Sequence, residues 1–229
     1  MRSPLTAGRR LAAAGAMAVA GGVAVLAAAS LAASTYGRLA ERGLTEPYAA
    51  RPLAAARIAS SLNPWSGPAQ ALHGWILAER KDGPASAAAY RQALAWHPGD
   101  PLLWSEFALA LARTGQFGDE LLLATARANA LSPTSPTVQQ TLATMGLSYW
   151  ARGIPALRQQ WLQSLRFELD RDPEAFRDRL IKLGYWRSYC AQAASALGEQ
   201  PWCDGVQEQF LRCKQPGARP GGPLCDWAG

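Results

Sequence analysis

The sequence predicts an all-helical protein whose N-terminal part holds an apolar segment long enough to span a membrane. Alanine and leucine dominate the chain, and runs of alternating β-branched residues, which are typical of strands, are absent. Three segments end alike, at Pro64, Pro98 and Pro133, which are 34 and 35 residues apart. A repeat of this length indicates a solenoid, a stack of similar helical units.

The first element is the segment from Leu11 to Ala33, which carries no charge. As a helix rising about 1.5 Å per residue it would be roughly 35 Å long, enough to cross a bilayer. The arginines of residues 1–10 precede it, so the positive-inside rule favours a cytoplasmic N-terminus. We therefore expect a transmembrane helix that anchors the chain in an inner membrane by a single pass, with the C-terminal domain in the periplasm.

A cleaved signal peptide is the alternative for this segment, because the small residues from Ala27 to Ser30 offer a cleavage site. The apolar stretch is longer than the usual signal-peptide core of about 7–15 residues, which favours an uncleaved signal anchor. Either interpretation exports residues 34–229. We expect a linker at residues 34–52, a helical domain at residues 53–197 and a cysteine-rich tail at residues 198–229.

The charge of the exported part argues against nucleic acid as a partner. The formal net charge is +6, but Arg2, Arg9 and Arg10 lie ahead of the apolar segment. The remainder holds 20 basic and 17 acidic residues. That balance lacks the clustered positive surface of a nucleic-acid-binding protein, so we expect no contact with DNA or RNA.

The first full repeat unit has a recognisable pattern of residues. Gly74 and Leu77 lie three apart on one helix, Tyr90 and Ala93 lie three apart on the next, and Pro98 follows. This pattern resembles the tetratricopeptide repeat (TPR) family, membrane-anchored extracytoplasmic bacterial type. The resemblance implies a small residue, Gly74, where two helices cross, an aromatic, Tyr90, in the gap, and a proline, Pro98, that ends the second helix.

Later units fit the pattern less well. The next unit begins at Asp100 and Pro101, a good helix cap and first-turn residue, but its second helix has Thr125 in place of the aromatic. A third unit is degenerate, because Gly146 stands where an aromatic is common in the family. We expect residues 155–197 to supply helices that cap the solenoid, with one of them starting at Asp172.

All four cysteines follow the repeats, which supports export and disulfide formation. Four cysteines permit three connectivities, and the sequence does not choose among them. The simplest pairs neighbours, Cys190 with Cys203 and Cys213 with Cys225. Their gaps are too long for a C-x-x-C redox motif or a paired zinc knuckle.

No motif predicts an enzyme. The chain has two histidines, His73 and His97, and lacks both the phosphate-binding G-x-x-x-x-G-K-[ST] loop and the G-x-S-x-G nucleophile motif. Both histidines are interpreted as structural residues, and no cofactor or metal is expected. The charged run at residues 170–179 is interpreted as the solvated start of a helix.

The TPR resemblance implies a concave groove lined by the first helix of each unit. The residues at positions that face this groove in the family are Trp75, Glu79, Ser105, Leu109 and Arg113. For Trp75 the alternative is burial against the N-terminal helix.

We therefore expect a membrane-anchored periplasmic TPR-like scaffold that binds a protein partner of the cell envelope. Bacterial proteins of this type often serve polysaccharide or cell-envelope biogenesis, and the resemblance implies such a setting. One alternative is a carbohydrate-binding or carbohydrate-active envelope protein, because exposed tryptophans can stack on a sugar. Another alternative is a structural subunit of a membrane complex.

Overall fold

The computed structural model describes residues 26–41, 50–198 and 202–213. Every regular element within these ranges is helical, which confirms that the fold is all-α. The main helices are α1 (residues 26–41), α2 (Ala50–Leu62), α3 (Gly67–Glu79), α4 (Gly83–Trp96), α5 (Pro101–Arg113), α6 (Asp119–Leu131), α7 (Pro136–Tyr149), α8 (Pro155–Arg171) and α9 (Pro173–Lys182). A short α10 (Trp186–Ser188) continues through a π-helical turn (Tyr189–Ala193) into α11 (Ala194–Leu197), and α12 is Trp202–Cys213. The chain divides into a first unit, Met1–Pro98, and a second unit, Gly99–Gly229.

Capping residues explain where several helices begin. Asp100 accepts a hydrogen bond from the Leu102 amide at 2.9 Å, and Asp172 accepts one from the Ala175 amide at 2.9 Å. A proline follows each cap in the first turn, where its missing N–H removes no helical hydrogen bond. Both starts confirm the sequence prediction.

In the first unit, α3 packs between α2 and α4 and forms a hairpin with α4. The two helices of the hairpin cross at Gly74, where an added Cβ atom would lie 2.9 Å from the ring of Tyr90. Ser86 on α4 donates from Oγ to the Gly74 carbonyl at 2.8 Å and holds the same crossing. Gly74 and Tyr90 therefore take the places that the repeat pattern predicted for them.

The second unit contains two hairpins packed side by side. Helix α5 pairs with α6 and α7 pairs with α8, while α5 also packs on α7 and α6 on α8. Neighbouring units of a helical solenoid pack in this way. Helix α8 is therefore the second helix of a third hairpin, which corrects the expectation that all of residues 155–197 cap the solenoid.

Trp161 explains why the third hairpin differs from the expected pattern. Its side chain is fully buried, and a Cβ atom at Gly146 would lie 2.7 Å from the Cβ of Trp161. Gly153 lies against the far edge of the same indole. The glycine that looked like a lost aromatic instead makes room for an aromatic on α8.

A buried polar network joins the helices of the second unit. The side-chain oxygen of Asn129 on α6 accepts hydrogen bonds from Gln139 Nε2 at 3.1 Å and from Ser164 Oγ at 3.3 Å. Its Nδ2 donates to Gln160 Oε1 at 3.0 Å. Gln139 also donates to the Ser132 carbonyl at 3.2 Å. The network thus links α6, α7 and α8 at one point and fixes their register.

Helices α9 to α12 close the end of the second unit over α8. The side chains that bury Leu165 in this cluster include Phe176, Leu180, Trp186, Tyr189, Val206 and Phe210. A disulfide joins Cys190 to Cys203 and so links the π-helical turn to α12. The first expected pair is confirmed, whereas Cys225 lies outside the described residues, so its pairing with Cys213 stays a prediction.

Two segments differ from the sequence-based outline. Helix α12 lies in the expected tail, where Val206 and Phe210, four residues apart on one face, are both buried. Helix α1 continues past Ala33 to residue 41, into the expected linker. Within the described ranges no helix has both the length and the hydropathy to cross a membrane. Residues 11–25 of the predicted span lie outside those ranges.

Candidate functional site

An open groove of about 490 Å³ lies between α5 and α7 in the second unit. Helix α5 contributes Leu109 and Arg113, and Tyr149 and Tyr185 also line the groove. Helix α7 contributes a row of side chains, most of them three or four residues apart and hence on one helical face: Thr137, Gln140, Thr141, Thr144, Met145 and Ser148. The groove therefore runs along the first helices of two stacked hairpins.

The wall formed by α7 is polar but uncharged. Thr141 donates its hydroxyl hydrogen to the Thr137 carbonyl at 2.9 Å, and Ser148 donates to the Thr144 carbonyl at 2.8 Å. Each of these hydroxyls keeps acceptor capacity on its oxygen. Among the described lining residues, Arg113 alone carries a charge. The wall can therefore accept hydrogen bonds from a ligand, but it offers no carboxylate or imidazole for proton transfer.

The structure places the predicted groove residues of the second unit in two environments. Leu109 and Arg113 line the groove, as the TPR resemblance implies. Ser105 is fully buried, and its Oγ donates to the Leu102 carbonyl at 2.9 Å. Ser105 therefore contributes to helix packing beneath the groove rather than to its surface.

The two predicted residues of the first unit lie on α3. Trp75 is half-buried and packs against a small cluster that includes Ala40, Ala55 and Ile76. The alternative for Trp75 was burial against the N-terminal helix; it contacts α1 and α2 but stays half-buried. Glu79 is half-buried at the last position of α3. Of the five predicted residues, Leu109 and Arg113 are therefore the two that line the groove between α5 and α7.

Sequence reasoning missed the row on α7 and the tyrosine at the end of the groove. Thr144 follows Leu109 by one repeat length of 35 residues, so aligning the third repeat with the second would have predicted that Thr144 lines the groove. Tyr185 comes from the turn after Gly184, which has a φ of 74°. No periodic signal marks Tyr185, because that turn lies outside the repeats.

The histidines have structural contacts. His73 Nδ1 lies 3.3 Å from Ser60 Oγ, but that hydroxyl donates to the Arg57 carbonyl at 3.0 Å. Burial, and then the charge of Arg57, lower the pKa of His73. Because the serine hydrogen is already bonded to a carbonyl, the pair does not have the geometry of a nucleophile and its base. His97 covers Gly67, where an added Cβ would lie 2.5 Å from its ring.

Comparison with known proteins assigns no family to the chain. No protein-family model matches it, and no curated protein matches its sequence. Within the described residues, no three or more His, Cys, Asp or Glu side chains are grouped so that they could hold a metal ion. The groove of the second unit is therefore the candidate site, on the strength of its own geometry.

Proposed function

We propose that this protein is a membrane-anchored, TPR-like scaffold whose groove between α5 and α7 binds an extended segment of a protein partner outside the cytoplasm. The row of hydroxyl and amide side chains along α7, which faces Leu109 and Arg113 across the groove, carries the proposal. Solenoid repeats present such extended concave surfaces to their partners.

The dimensions and chemistry of the groove suit a peptide. From Thr137 to Ser148 the helix rises roughly 16 Å, the length of about five residues of an extended chain. Such a chain carries an N–H donor at most residues, and the oxygens of Thr141 and Gln140 can accept from it. Tyr149 at the end of α7 supplies an aromatic surface for one apolar side chain of the partner.

The proposed location rests on two further features. The apolar segment of residues 11–33 would anchor the chain, and the Cys190–Cys203 disulfide suits an oxidising compartment. Polysaccharide or cell-envelope biogenesis is the setting we propose, by association with bacterial repeat proteins of this type. No reaction is assigned to the groove, which leaves a binding role.

A photo-crosslinking residue at position 144 tests the groove directly, and the same residue at position 163 is the matched control. Gln163 is exposed on α8 and does not line the groove. We expect one envelope protein to be crosslinked from position 144 and from position 140, but not from position 163. A Thr144→Arg variant with unchanged helical circular dichroism should lose that product.

Other outcomes would support the alternatives. Crosslinking to a polysaccharide from position 144 would favour the carbohydrate-binding function, for which the hydroxyl-rich wall and Tyr149 also provide suitable contacts. A partner that co-purifies equally well with the Thr144→Arg variant would contradict groove binding and favour a structural subunit.

A further inference from the structure

Two tryptophan side chains are exposed side by side at one end of the first unit. Trp65 is 46% exposed and Trp96 is 58% exposed, and their ring centroids lie 6.4 Å apart with the planes at 77°. Single exposed apolar residues are common on protein surfaces, but two adjacent indoles form a patch that marks a contact surface.

The surrounding hydrogen bonds hold this tryptophan pair in place. His97 Nε2 lies 3.1 Å from the Trp65 carbonyl, and Gln92 Nε2 donates to the Pro64 carbonyl at 3.4 Å. Both contacts tie the end of α4 to the turn between α2 and α3. These hydrogen bonds fix the backbone at Trp65 relative to the end of α4, which carries Trp96.

Helix α1 shows which direction this end of the unit faces. Near its end, Ala40 packs with Ala56 of α2 and Ile76 of α3. These partners lie away from the turn that carries Trp65, because Ala56 is in the first half of α2 and Ile76 is near the end of α3. The residues of α1 from Ser30 onwards line a cavity together with Asn63, which belongs to that turn. Helix α1 thus runs from the tryptophan end of the unit towards its body.

The described start of α1, residues 26–29, therefore lies beyond Ser30 at the tryptophan end. Leu26 lies about 6 Å further along the helix axis than Ser30. Leu26 and Leu31 are 51% and 71% exposed, and both belong to the predicted membrane segment of residues 11–33. The described start of the predicted membrane segment, residues 26–30, and the tryptophan pair thus share one end of the first unit.

We infer that Trp65 and Trp96 lie in the membrane–water interface and orient the first unit on the lipid surface. Indole rings favour this zone because the ring is apolar while its N–H needs a polar partner. Residues 63–68 and 92–98 contain no Lys, Arg, Asp or Glu, so their approach to the headgroups strips no formal charge of water. The inference rests on the proposed anchoring by residues 11–33.

Lys81 provides a matched control position on the same unit. It lies in the turn between α3 and α4 and is exposed. Helix α4 runs from Gly83 to Trp96, so this turn lies about 20 Å from the tryptophan pair. If the pair touches lipid, the turn of Lys81 faces water.

The test uses the full chain in vesicles of phosphatidylcholine and phosphatidylglycerol at about three to one, with a nitroxide-bearing residue at position 65, 96 or 81. Paramagnetic resonance then measures collisions with oxygen, which is concentrated in lipid, and with a water-soluble nickel chelate. We expect positions 65 and 96 to show more oxygen and several-fold fewer nickel collisions than position 81.

A second measurement keeps the native indoles. Brominated lipids should quench the fluorescence of the wild-type chain more than that of a Trp65→Phe/Trp96→Phe variant. Trp75→Phe, on the half-buried tryptophan of α3 in the same unit, should leave the lipid-dependent quenching unchanged. Equal quenching of the wild-type chain and the double variant would overturn the inference.

The outcomes separate this inference from the proposed anchoring. A carbonate wash that removes the protein from the vesicles shows that the anchor itself is wrong, and the inference then falls with it. A protein that resists the wash but has equal nickel collisions at positions 65, 96 and 81 is anchored without interfacial tryptophans. Protection from both oxygen and nickel at positions 65 and 96 indicates a protein contact and also overturns the inference.

Discussion

Replacing Asn129 with alanine tests whether the polar network holds the third hairpin to the second. The substitution takes the acceptor from Gln139 Nε2 and from Ser164 Oγ, and both of these residues are buried. It also removes the donor to Gln160. Each lost hydrogen bond costs about 1 kcal/mol, and Gln139 keeps its bond to Ser132, so we expect a total loss of about 2–3 kcal/mol.

Amide hydrogen exchange read by mass spectrometry measures this loss locally, which suits a chain with two compact units. A loss of about 2 kcal/mol should speed exchange in peptides from α7 and α8 by about 30-fold. Gln140→Ala is the matched control. Gln140 follows Gln139 in sequence but its side chain is exposed, so the substitution should change the free energy of unfolding by no more than about 0.5 kcal/mol.

A double variant makes the test stricter. Asn129→Ala and Gln139→Ala share one hydrogen bond, so their combined effect should be smaller than the sum of the two effects by about 1 kcal/mol. Unchanged protection in α7 and α8 for Asn129→Ala, or full additivity in the double variant, would refute the role given to the network.

Three further predictions follow from packing, crosslinking and burial. Gly74→Val should lower the stability of the α3–α4 hairpin by about 1–3 kcal/mol, because the new side chain meets Tyr90. Gly99→Ala, with open space around the added Cβ, should have little effect on stability, and hydrogen exchange compares the two variants. Cys190→Ser/Cys203→Ser removes a disulfide between residues 13 apart in sequence and should lower the free energy of unfolding by about 3 kcal/mol. In limited proteolysis of this variant, α12 should be cleaved before α5 or α6. Equal protease resistance of these helices would contradict the prediction. Burial raises the pKa of Tyr189 to about 12, so its contribution to stability is present below pH 10 and is lost as the pH rises from about 10 to about 12. The free energy of unfolding, measured with denaturant, should show this pH dependence in the wild-type chain and lose it in Tyr189→Phe. Titration of the tyrosine absorbance at 295 nm near pH 10 would contradict the burial of this side chain.

The sequence predicted the parts of the fold that local rules govern. Asp100 and Asp172 were expected to start helices because a capping carboxylate followed by proline is a local signal. Gly74 and Tyr90 were expected to meet because their spacing is that of the repeat. These features need no knowledge of distant contacts, and the structure confirms them.

The third hairpin was missed because its marks depend on three-dimensional register. The repeat was traced by the proline that follows each second helix, but the proline that follows α8, Pro173, comes 40 residues after Pro133 instead of 34 or 35. Its aromatic, Trp161, follows Thr125 by 36 residues and packs on Gly146. An extra turn at Trp150–Arg152 precedes α8, and sequence spacing alone does not show how it shifts the packing.

The same cause explains what was predicted of the candidate site. Leu109 and Arg113 belong to α5, the first helix of the second repeat, which fits the repeat pattern, and both line the groove. The row on α7 was missed together with its hairpin. Ser105 occupies a groove position in the repeat pattern, yet it is buried, because its small hydroxyl is satisfied within its own helix and does not need to reach solvent.

The position of the cysteines follows from how the second unit ends. A stack of hairpins leaves an apolar face on its last helix, and here Leu165 of α8 would be exposed without a cover. The covering helices α9 and α12 have 10 and 12 residues, too short to be stable alone. Helix α9 is joined to α8 by the ion pair of Arg179 with the buried Glu168.

Among the described residues, α12 has no such ion pair to α8. Its short length and limited burial stabilise it only weakly, so the disulfide supplies the additional stability that holds α12 in place. Reduction would free α12 and expose Phe210 and the face beneath it. A cap built in this way is more stable where thiols stay oxidised. The cysteines thus connect the way the solenoid ends with the extracytoplasmic location that we propose.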